Sequence, residues 1–538
     1  MRREPQDIGA ESQARLVAGL LNPSAYDHPV ERVETLETHI SYVLLAGAYA
    51  YKIKKAVDLG FLDFTTLPAR HFYCLEELRL NRRLAPDLYL EVIPITSSAG
   101  YPVIGGQGTP IEYTVKMRRF SQDALLDRVV ARDALSPTHV DAIAAKVAQF
   151  HASIPVAGVE QPYGAPTTVY EPTLANIRQL EQLLANAPDL AILNEHRHWV
   201  EQQHAQLADV IAARKRDGFV RECHGDLHLG NIALIDGVPT IFDCLEFSEA
   251  LRWIDVMNET AFLVMDLEAA DRPQLAWRFL NDYLERTGDY AGLAVLRYYA
   301  AYRAMVRALV SLLRSRQLAP RLAVESPIED GRRRYSQLAH AYAKPVCPAL
   351  VITHGFSGSG KTFLTQSLVE LTGAIRVRSD VERKRLLSVL ADKSPTKDVG
   401  SGLYAPDATV STYQRLLDLA RVIVGSGHIA VVDATFLTRW QRDLFRDLAA
   451  TKTMPYAIVD VTASVEIMRQ RIIDRLAQRT DPSDADLAVI EHQLAHHDPL
   501  APDELDRVIT IDSVEAAAKG SQVWQTLLRR LSAPRLAK

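Results

Sequence analysis

The chain has 538 residues, more than one ordinary hydrophobic core accommodates, and that length allows about two to four domains. Apolar residues make up 48% and charged residues 24%, an ordinary globular composition, and a formal net charge of −5 gives no general signal for nucleic acid. The N-terminus, Met1-Arg2-Arg3-Glu4-Pro5-Gln6-Asp7, lacks the apolar stretch of a signal peptide, and no run reaches the length of a membrane span. The four cysteines (Cys74, Cys223, Cys244, Cys347) form no Cys-x-x-Cys pair, so neither zinc nor a disulfide framework is indicated. The expectation is a soluble, cytoplasmic protein without a membrane partner; oligomeric state stays open.

Strand-like runs cover Ile40 to Leu45, Ala48 to Ile53 and Tyr113 to Met117, with a helix predicted over about 69 to 85. Helical periodicity dominates from about 120 to 220 and from about 250 to 315. Between these stretches stands His224-Gly225-Asp226-Leu227-His228-Leu229-Gly230-Asn231, a His-x-Asp with Asn five residues after the Asp, the pattern of a kinase catalytic loop. Ile232 to Ile235 and Pro239 to Phe242 then flank Asp236-Gly237-Val238. Asp-Gly between apolar runs predicts a hairpin, because both turn residues must adopt positive φ. With a two-residue turn, Ile235 faces Val238 and Asn231 lies opposite Phe242, which brings Asn231 and Asp243 to the open base of one hairpin. Pro239 lacks an amide donor and should face an edge or an unbonded position. In kinase-type chemistry such an Asn and Asp hold magnesium, and the loop Asp accepts the proton of the attacking hydroxyl. Asp226 is therefore the candidate base, with Asn231 and Asp243 as metal ligands.

A seam is expected at Ala343-Lys344-Pro345-Val346-Cys347-Pro348, where two close prolines end helical periodicity. It divides the chain into candidate domains 1–340 and 346–538. Ala349 to Thr353 follows as a buried strand, then Gly355-Phe356-Ser357-Gly358-Ser359-Gly360-Lys361-Thr362, a complete Walker A loop, then a helix from Lys361 to Leu371. Backbone amides of such a loop, Gly355 through Gly360 with Ser357, Gly358 and Ser359, point at phosphates, and the helix dipole adds to the attraction. Lys361 is expected to reach the β and γ phosphates and Thr362 to ligate magnesium. Ile375 to Ser379 runs from a strand into Asp380, with Arg383 one helical turn later. Asp380 would lie beyond the carboxyl end of its strand, placed to act as base toward a substrate hydroxyl. Ile429 to Asp433 is a second buried strand, and Asp433 is the natural Walker B magnesium residue; Thr435 and Arg439 or Arg442 follow. A helix over 465 to 480 carries Arg471, Arg475 and Arg479 at four-residue spacing. That row fits a lid closing on phosphates, and from spacing alone it fits a solvated, salt-bridged face equally well.

The loop from His224 to Asn231, with Ile241-Phe242-Asp243, resembles the aminoglycoside phosphotransferase and choline kinase group over roughly residues 35 to 320. That resemblance implies a bilobal protein-kinase-like fold. Ala50-Tyr51-Lys52 resembles the strand that supplies a phosphate-binding lysine, and Glu77 falls where its ion-pair partner should be. Lys52 and Lys54 share one strand face, so alternation does not choose between them; small Ala50 leaves room for a purine and favours Lys52. No Gly-x-Gly-x-x-Gly loop is present; Leu45-Ala46-Gly47-Ala48 stands in its place. His228 suits a packing role as well as a chemical one, and Asp255 resembles a position that props the catalytic loop or caps a helix.

Gly355 to Thr362, Asp380 with Arg383, Val432-Asp433-Ala434-Thr435 and the arginine helix resemble small AAA-type P-loop kinases related to phage polynucleotide kinase. Gluconate kinase and zeta-toxin-like enzymes are more distant. The likeness covers about 348 to 535 and implies a doubly wound parallel sheet using ATP and Mg2+. The combined expectation is an ATP-dependent phosphotransferase with two kinase-type domains acting on hydroxyls of small molecules. Two alternatives are a P-loop kinase with a catalytically weak N-terminal binding or regulatory module, and a nucleic-acid 5′-hydroxyl kinase, although no basic, aromatic-rich groove supports nucleic acid. For a cationic acceptor at the first site, Glu246, Glu249, Asp255 and Glu259 are the candidate acidic residues, and helix-surface charge explains them equally.

Overall fold

A computed structural model of the chain describes residues 10–60, 62–184, 187–317, 327–393, 406–478 and 486–532. By contacts it falls into two compact units, Met1–Asp266 with Tyr302–Tyr335, and Leu267–Ala301 with Ser336–Lys538. Among the described residues no helix is long and apolar enough to cross a membrane.

The first unit opens with an antiparallel sheet whose order from edge to edge is Val33–Glu37, Ser41–Ala46, Tyr49–Lys54, Glu112–Arg118, Tyr89–Ser98 and Tyr101–Ile104. Alternation along Tyr49–Lys54 sends Tyr51 and Ile53 into a core with Leu16, Leu20 and Leu44. Ala50, Lys52 and Lys54 take the other face, toward the helix Leu67–Asn81. That helix starts where Thr66 caps it, its hydroxyl accepting from the Ala69 amide at 3.3 Å, with Pro68 in the first turn. Its inward stripe is largely polar: Arg70, Cys74, Glu77 and Asn81 are all buried, at helical spacing. Each polar member has a partner. Arg70 Nε meets both oxygens of Glu112, at 3.0 and 2.9 Å, and Asn81 Oδ1 accepts from the Cys244 amide at 2.9 Å. Such a paired polar core holds one sheet–helix geometry, because any shift strands a buried charge.

The helical part of this unit contains Pro137–Ser153, Pro166–Leu183 and Ala187–Arg216. Against it lie the pair Val220–Glu222 with Trp253–Asp255 and the hairpin Ile232–Ile235 with Val238–Ile241. The hairpin has the register expected from its turn: Ile235 pairs with Val238, and Asp236 and Gly237 have φ of 52° and 77°. Pro239 lies in this isolated two-stranded ladder, and its carbonyl accepts from Lys146 at 2.8 Å.

The second unit is built on a parallel sheet, Ile375–Arg378, Ala430–Asp433, Leu350–His354, Tyr456–Thr462, Val508–Asp512. Leu350–His354 and Ala430–Asp433 are buried throughout, as strands covered on both faces must be. Later strands flank the first strand on either side, so a crevice opens at its carboxyl end. Val351, Leu364, Leu368, Val431 and Val459 form the core with Trp524, whose Nε1 donates to Ser367 Oγ at 2.8 Å.

One edge of this sheet is sealed by the helix Pro273–Thr287. Asn281 Nδ2 donates to the Ala374 carbonyl at 3.0 Å, and the Arg376 amide donates to Asn281 Oδ1 at 2.8 Å. Arg278 pairs with Glu370 at 2.8 Å, and Glu285 with Arg378 at 3.1 Å. Residues 267–301 thus pack with the P-loop unit. The bounds 1–340 and 346–538 remain the proposed limits of the two kinase-type modules.

Arg439 and Arg442, which follow the strand ending at Asp433, are tied up in ion pairs and carbonyl contacts. Arg442 is buried, forks onto Glu504 at 2.8 and 3.0 Å and donates to the carbonyls of Phe436, Asp498 and Pro499. Arg439 forks onto Asp503 at 2.9 and 2.7 Å. Arg442→Met should destabilise the second unit by about 3–5 kcal/mol, since Glu504 and three carbonyls lose their donor. A calorimetric scan in which both unfolding transitions match the parent chain would refute this.

Candidate active sites

At the first site Lys52 lies between two carboxylates, Glu77 Oε1 at 2.7 Å and Asp243 Oδ1 at 2.5 Å. Lys54, fully buried, joins the other Glu77 oxygen at 2.7 Å and also pairs with Glu246. Burial opposes the charge of Glu77, but the two ammonium groups hold its carboxyl at about 2. Burial likewise opposes the charge on Lys52, and Asp243 with Glu77 outweighs it, raising its pKa. The structure therefore separates two lysines that alternation left equivalent. Lys52, with Ala50, Asn231, Phe242 and Asp243, lines a cavity of about 290 Å³; Lys54 is not on its wall.

The catalytic-type loop turns at Gly225, whose φ is +87° and where a Cβ would meet the Leu251 carbonyl at 2.8 Å, so only glycine fits. Its amide donates to Glu259 Oε1 at 2.7 Å, and Glu259 Oε2 meets His151 at 2.8 Å. His224 Nε2 donates to the Phe242 carbonyl at 2.8 Å and Nδ1 accepts from the Asp226 amide at 3.3 Å; burial pushes its imidazole pKa down, toward the neutral form that the second bond requires. Asp226 is half-buried. Asn231 Nδ2 donates to its carboxylate at 2.9 Å and to its carbonyl at 3.0 Å, which leaves Asn231 Oδ1 free of that contact. His228 Nδ1 accepts from the Gly230 amide at 3.0 Å, so the neutral ring carries its hydrogen on Nε2, 3.3 Å from Asp226 Oδ2. Burial works against an ionised Asp226, but His228, His224 and Arg307 hold its carboxyl well below the usual range. The Phe242 amide donates to the Asn231 carbonyl at 3.0 Å, the pairing expected at the hairpin base. Asp243 follows in a left-handed turn, φ 64°, its amide on the Tyr89 hydroxyl at 3.2 Å.

Sequence reasoning missed Tyr89 and Arg307, and offered Glu246 only as an acidic candidate for a cationic acceptor, not as a partner of Lys54. They lie far apart in the chain and belong to no local motif. His151, Cys223 and Glu259 also bring three potential metal donors within 4.8 Å. Glu259 is already engaged by Gly225 and His151, and burial pushes the Cys223 thiol well up, so this cluster serves as a prop for the loop.

At the second site a cavity of about 460 Å³ is lined by Ser357, Gly358, Gly360, Lys361, Thr362, Asp380, Arg383, Asp433 and Arg475, among others. The sequence placed all of these in one site. Gly358 has φ +81°, and a Cβ there would meet the Met468 carbonyl at 2.6 Å. Lys361 Nζ folds onto the loop, donating to the Gly355 and Phe356 carbonyls at 2.9 and 2.7 Å. Burial lowers its pKa to about 8, with Asp433 and Asp380 pulling the other way. Ser359 Oγ is buried without a hydrogen-bond partner, as a group meant for a ligand would be. Arg383 stands 3.6 Å from Asp380. Thr365, one turn beyond Thr362, is the hydroxyl that touches Asp433, at 3.3 Å.

Arg471 and Arg475 both line the cavity. Arg471 NH1 also donates to the Gly358 and Ser359 carbonyls, at 3.3 and 3.1 Å, and to Ser513 Oγ at 2.9 Å, bracing the loop. Arg479 lies outside the described residues. Gln493 was not foreseen: its amide accepts from the Ser357 amide at 2.9 Å and donates to Ser357 Oγ at 3.1 Å. Both sites offer hard oxygen donors, Asn231 with Asp243 and Asp433 with Thr362 or Thr365, and that donor set suits magnesium.

Residues 117–299 match the Phosphotransferase enzyme family, and residues 350–500 match an AAA domain. The chain is 31% identical over 460 residues to the uncharacterized protein Rv2004c of Mycobacterium tuberculosis (strain ATCC 25618 / H37Rv), spanning 84% of this chain and 89% of the relative. Uncharacterized protein Mb2027c of Mycobacterium bovis gives the same figures, 31%, 84% and 89%. Among solved structures, a choline/ethanolamine kinase family protein from Mesorhizobium loti overlaps 62% of this chain and 94% of its own, at 14% identity and a TM-score of 0.37. Chaetomium thermophilum Kti12 overlaps 34% of this chain and all of its own (100%), at 14% identity and a TM-score of 0.28.

Proposed function

Because this chain belongs to the same family as the mycobacterial protein Rv2004c and joins two kinase-type domains, we propose that it is an ATP-dependent phosphotransferase acting on hydroxyls of small molecules at two sites. The observation that carries this reading is a lysine and metal-type oxygen donors lining each of two cavities, with a further carboxylate close by: Asp226 reaches the first through Asn231 Nδ2 at 2.9 Å, and Asp380 lines the second. At the first, Lys52 is held by Glu77 to meet the triphosphate, and Asp226 is oriented by Asn231 and His228. The acceptor hydroxyl gives its proton to Asp226 as its oxygen bonds the γ phosphorus, and the bond to the bridging β–γ oxygen breaks to leave ADP. At the second, Lys361 and the loop amides hold the triphosphate, Asp380 takes the acceptor proton, and Arg383 and Arg475 balance charge on the transferring group. Bound magnesium would neutralise phosphate charge at Asn231 and Asp243, and at Asp433 with Thr362. Catalysis of this kind is positioning and electrostatics more than covalent chemistry. A cytoplasmic setting, where ATP is at hand, suits it.

The test uses the full chain in a metabolite pool with ATP, read by mass spectrometry. Asp226→Asn and Asp380→Asn should each erase a different phosphorylated product. If neither substitution changes any product or ATP consumption, the reading fails. A second reading, an N-terminal half that only binds ligand, draws support from the Lys52–Asp243 pair, which occupies a metal-type carboxylate. A phosphorylated product made by the chain bearing Lys361→Ala would argue against it.

A further inference from the structure

The wall beside Asp226 is basic. The helix Leu293–Gln317 carries Arg307, whose NH1 lies 3.4 Å from His228 Nε2, itself 3.3 Å from the Asp226 carboxylate. Seven residues on, and so on the same helix face, comes Arg314. Its side chain is exposed and makes no hydrogen bond or ion pair among the described residues, and its guanidinium is near enough to feel Asp226, Arg307 and Tyr335. Arg307 Nε donates to the Tyr335 hydroxyl at 3.4 Å, but its carboxylate partner, Asp266, is 3.9 Å away and already accepts from the Leu229 amide at 2.9 Å and the Tyr335 hydroxyl at 2.7 Å.

A cationic acceptor would need free carboxylates facing the same space, and the four acidic candidates are engaged elsewhere. Glu246 pairs with Lys54, Asp255 with Arg214 at 2.6 Å, Glu259 with His151 at 2.8 Å, and exposed Glu249 with Arg252 at 3.5 Å. Two arginines without a carboxylate within hydrogen-bond reach, beside Asp226, suit the opposite charge, because a guanidinium fork matches phosphate and carboxylate oxygens.

We propose that the acceptor at the Asp226 site carries an anionic group, a phosphate or carboxylate, which Arg307 and Arg314 hold beside the hydroxyl to be phosphorylated. This rests on the phosphotransferase reading of that site. The transfer is balanced as before: the acceptor oxygen gains the phosphoryl group, its proton goes to Asp226, and ADP leaves.

The experiment takes the full chain with Lys361→Ala, which disables the P-loop site, saturates it with magnesium and AMP-PNP, and titrates inorganic phosphate by calorimetry. Phosphate should bind the parent, bind Arg314→Gln at least fivefold more weakly, and bind Asp226→Asn more tightly, since a repelling charge is gone. AMP-PNP affinity in each variant checks folding. Equal phosphate affinity in the parent and Arg314→Gln overturns the proposal, and so does phosphate that fails to bind the parent. AMP-PNP that does not bind the Lys361→Ala chain, or binds it equally with and without Lys52→Met, overturns instead the phosphotransferase reading on which it rests.

Discussion

Lys54→Met should lower the stability of the N-terminal unit by about 3–5 kcal/mol, while Lys52→Met should leave the fold standing and cut ATP use there by on the order of a hundredfold or more. The two lysines are two residues apart on one strand and share Glu77, yet their surroundings differ. Lys54 is completely buried, and its other partner is Glu246, also buried. Removing it leaves Glu246 without its counter-charge and Glu77 with half of its own. Lys52 reaches Asp243, whose side chain is 44% exposed at the cavity. Its loss leaves Glu77 still paired and Asp243 free to meet solvent. Thermal unfolding and ATP turnover, measured on both variants in the Lys361→Ala background, separate the roles. A stable, inactive Lys54→Met beside an unfolded Lys52→Met would reverse the assignment.

Lys361→Met should abolish turnover at the P-loop site and yet make the empty protein more stable at neutral pH, by on the order of 1 kcal/mol. Burial lowers the Lys361 pKa to about 8 from 10.5. Between those values the unfolded chain binds the proton and the folded chain does not, so the group's contribution to stability rises with pH from about 8 to 10.5. Below pH 8 the folded protein carries the cost of a desolvated ammonium, eased by two carbonyls and only partly offset by Asp433 and Asp380, and methionine removes that cost. A triphosphate supplies the missing counter-charge, so nucleotide affinity should fall as pH rises above 8. Denaturation midpoints of parent and variant at pH 7 and pH 10.5 test this. The gain from methionine should be largest at pH 7, and an equal gain at both pH values would count against the argument.

How much of this was legible in the sequence depended on whether the signal was local. The Asp236-Gly237 turn set a register, and that register put Asn231 opposite Phe242, as found. The Walker A loop and the strands ending at Asp433 and before Asp380 could be read because a parallel sheet gathers its strand ends in one crevice. The helix Leu67–Asn81 was placed within a few residues, but its buried stripe of Arg70, Glu77 and Asn81 runs against an apolar pattern and is explained only by partners at positions 52, 54, 112 and 244. The edge strands Val33–Glu37 and Tyr101–Ile104 escaped notice because they are short, and Val33–Glu37 is largely exposed. Four-residue spacing of arginines could not tell a brace from a phosphate contact. Arg471 and Arg475 both line the cavity, and Arg471 holds loop carbonyls as well, because the loop passes beside it.

The side-chain amide of Asn281 does for the outermost parallel strand what a sixth strand would have done, taking one carbonyl and offering one oxygen to the next amide. A molecule cut at the prolines near 345 would keep every phosphate-binding residue and lose that clasp. Its bare margin would present unmatched backbone groups to any passing copy, an invitation to stick. Borders drawn by kinship and borders drawn by folding need not coincide, and in this protein the outer hem of one module is stitched with thread from the other.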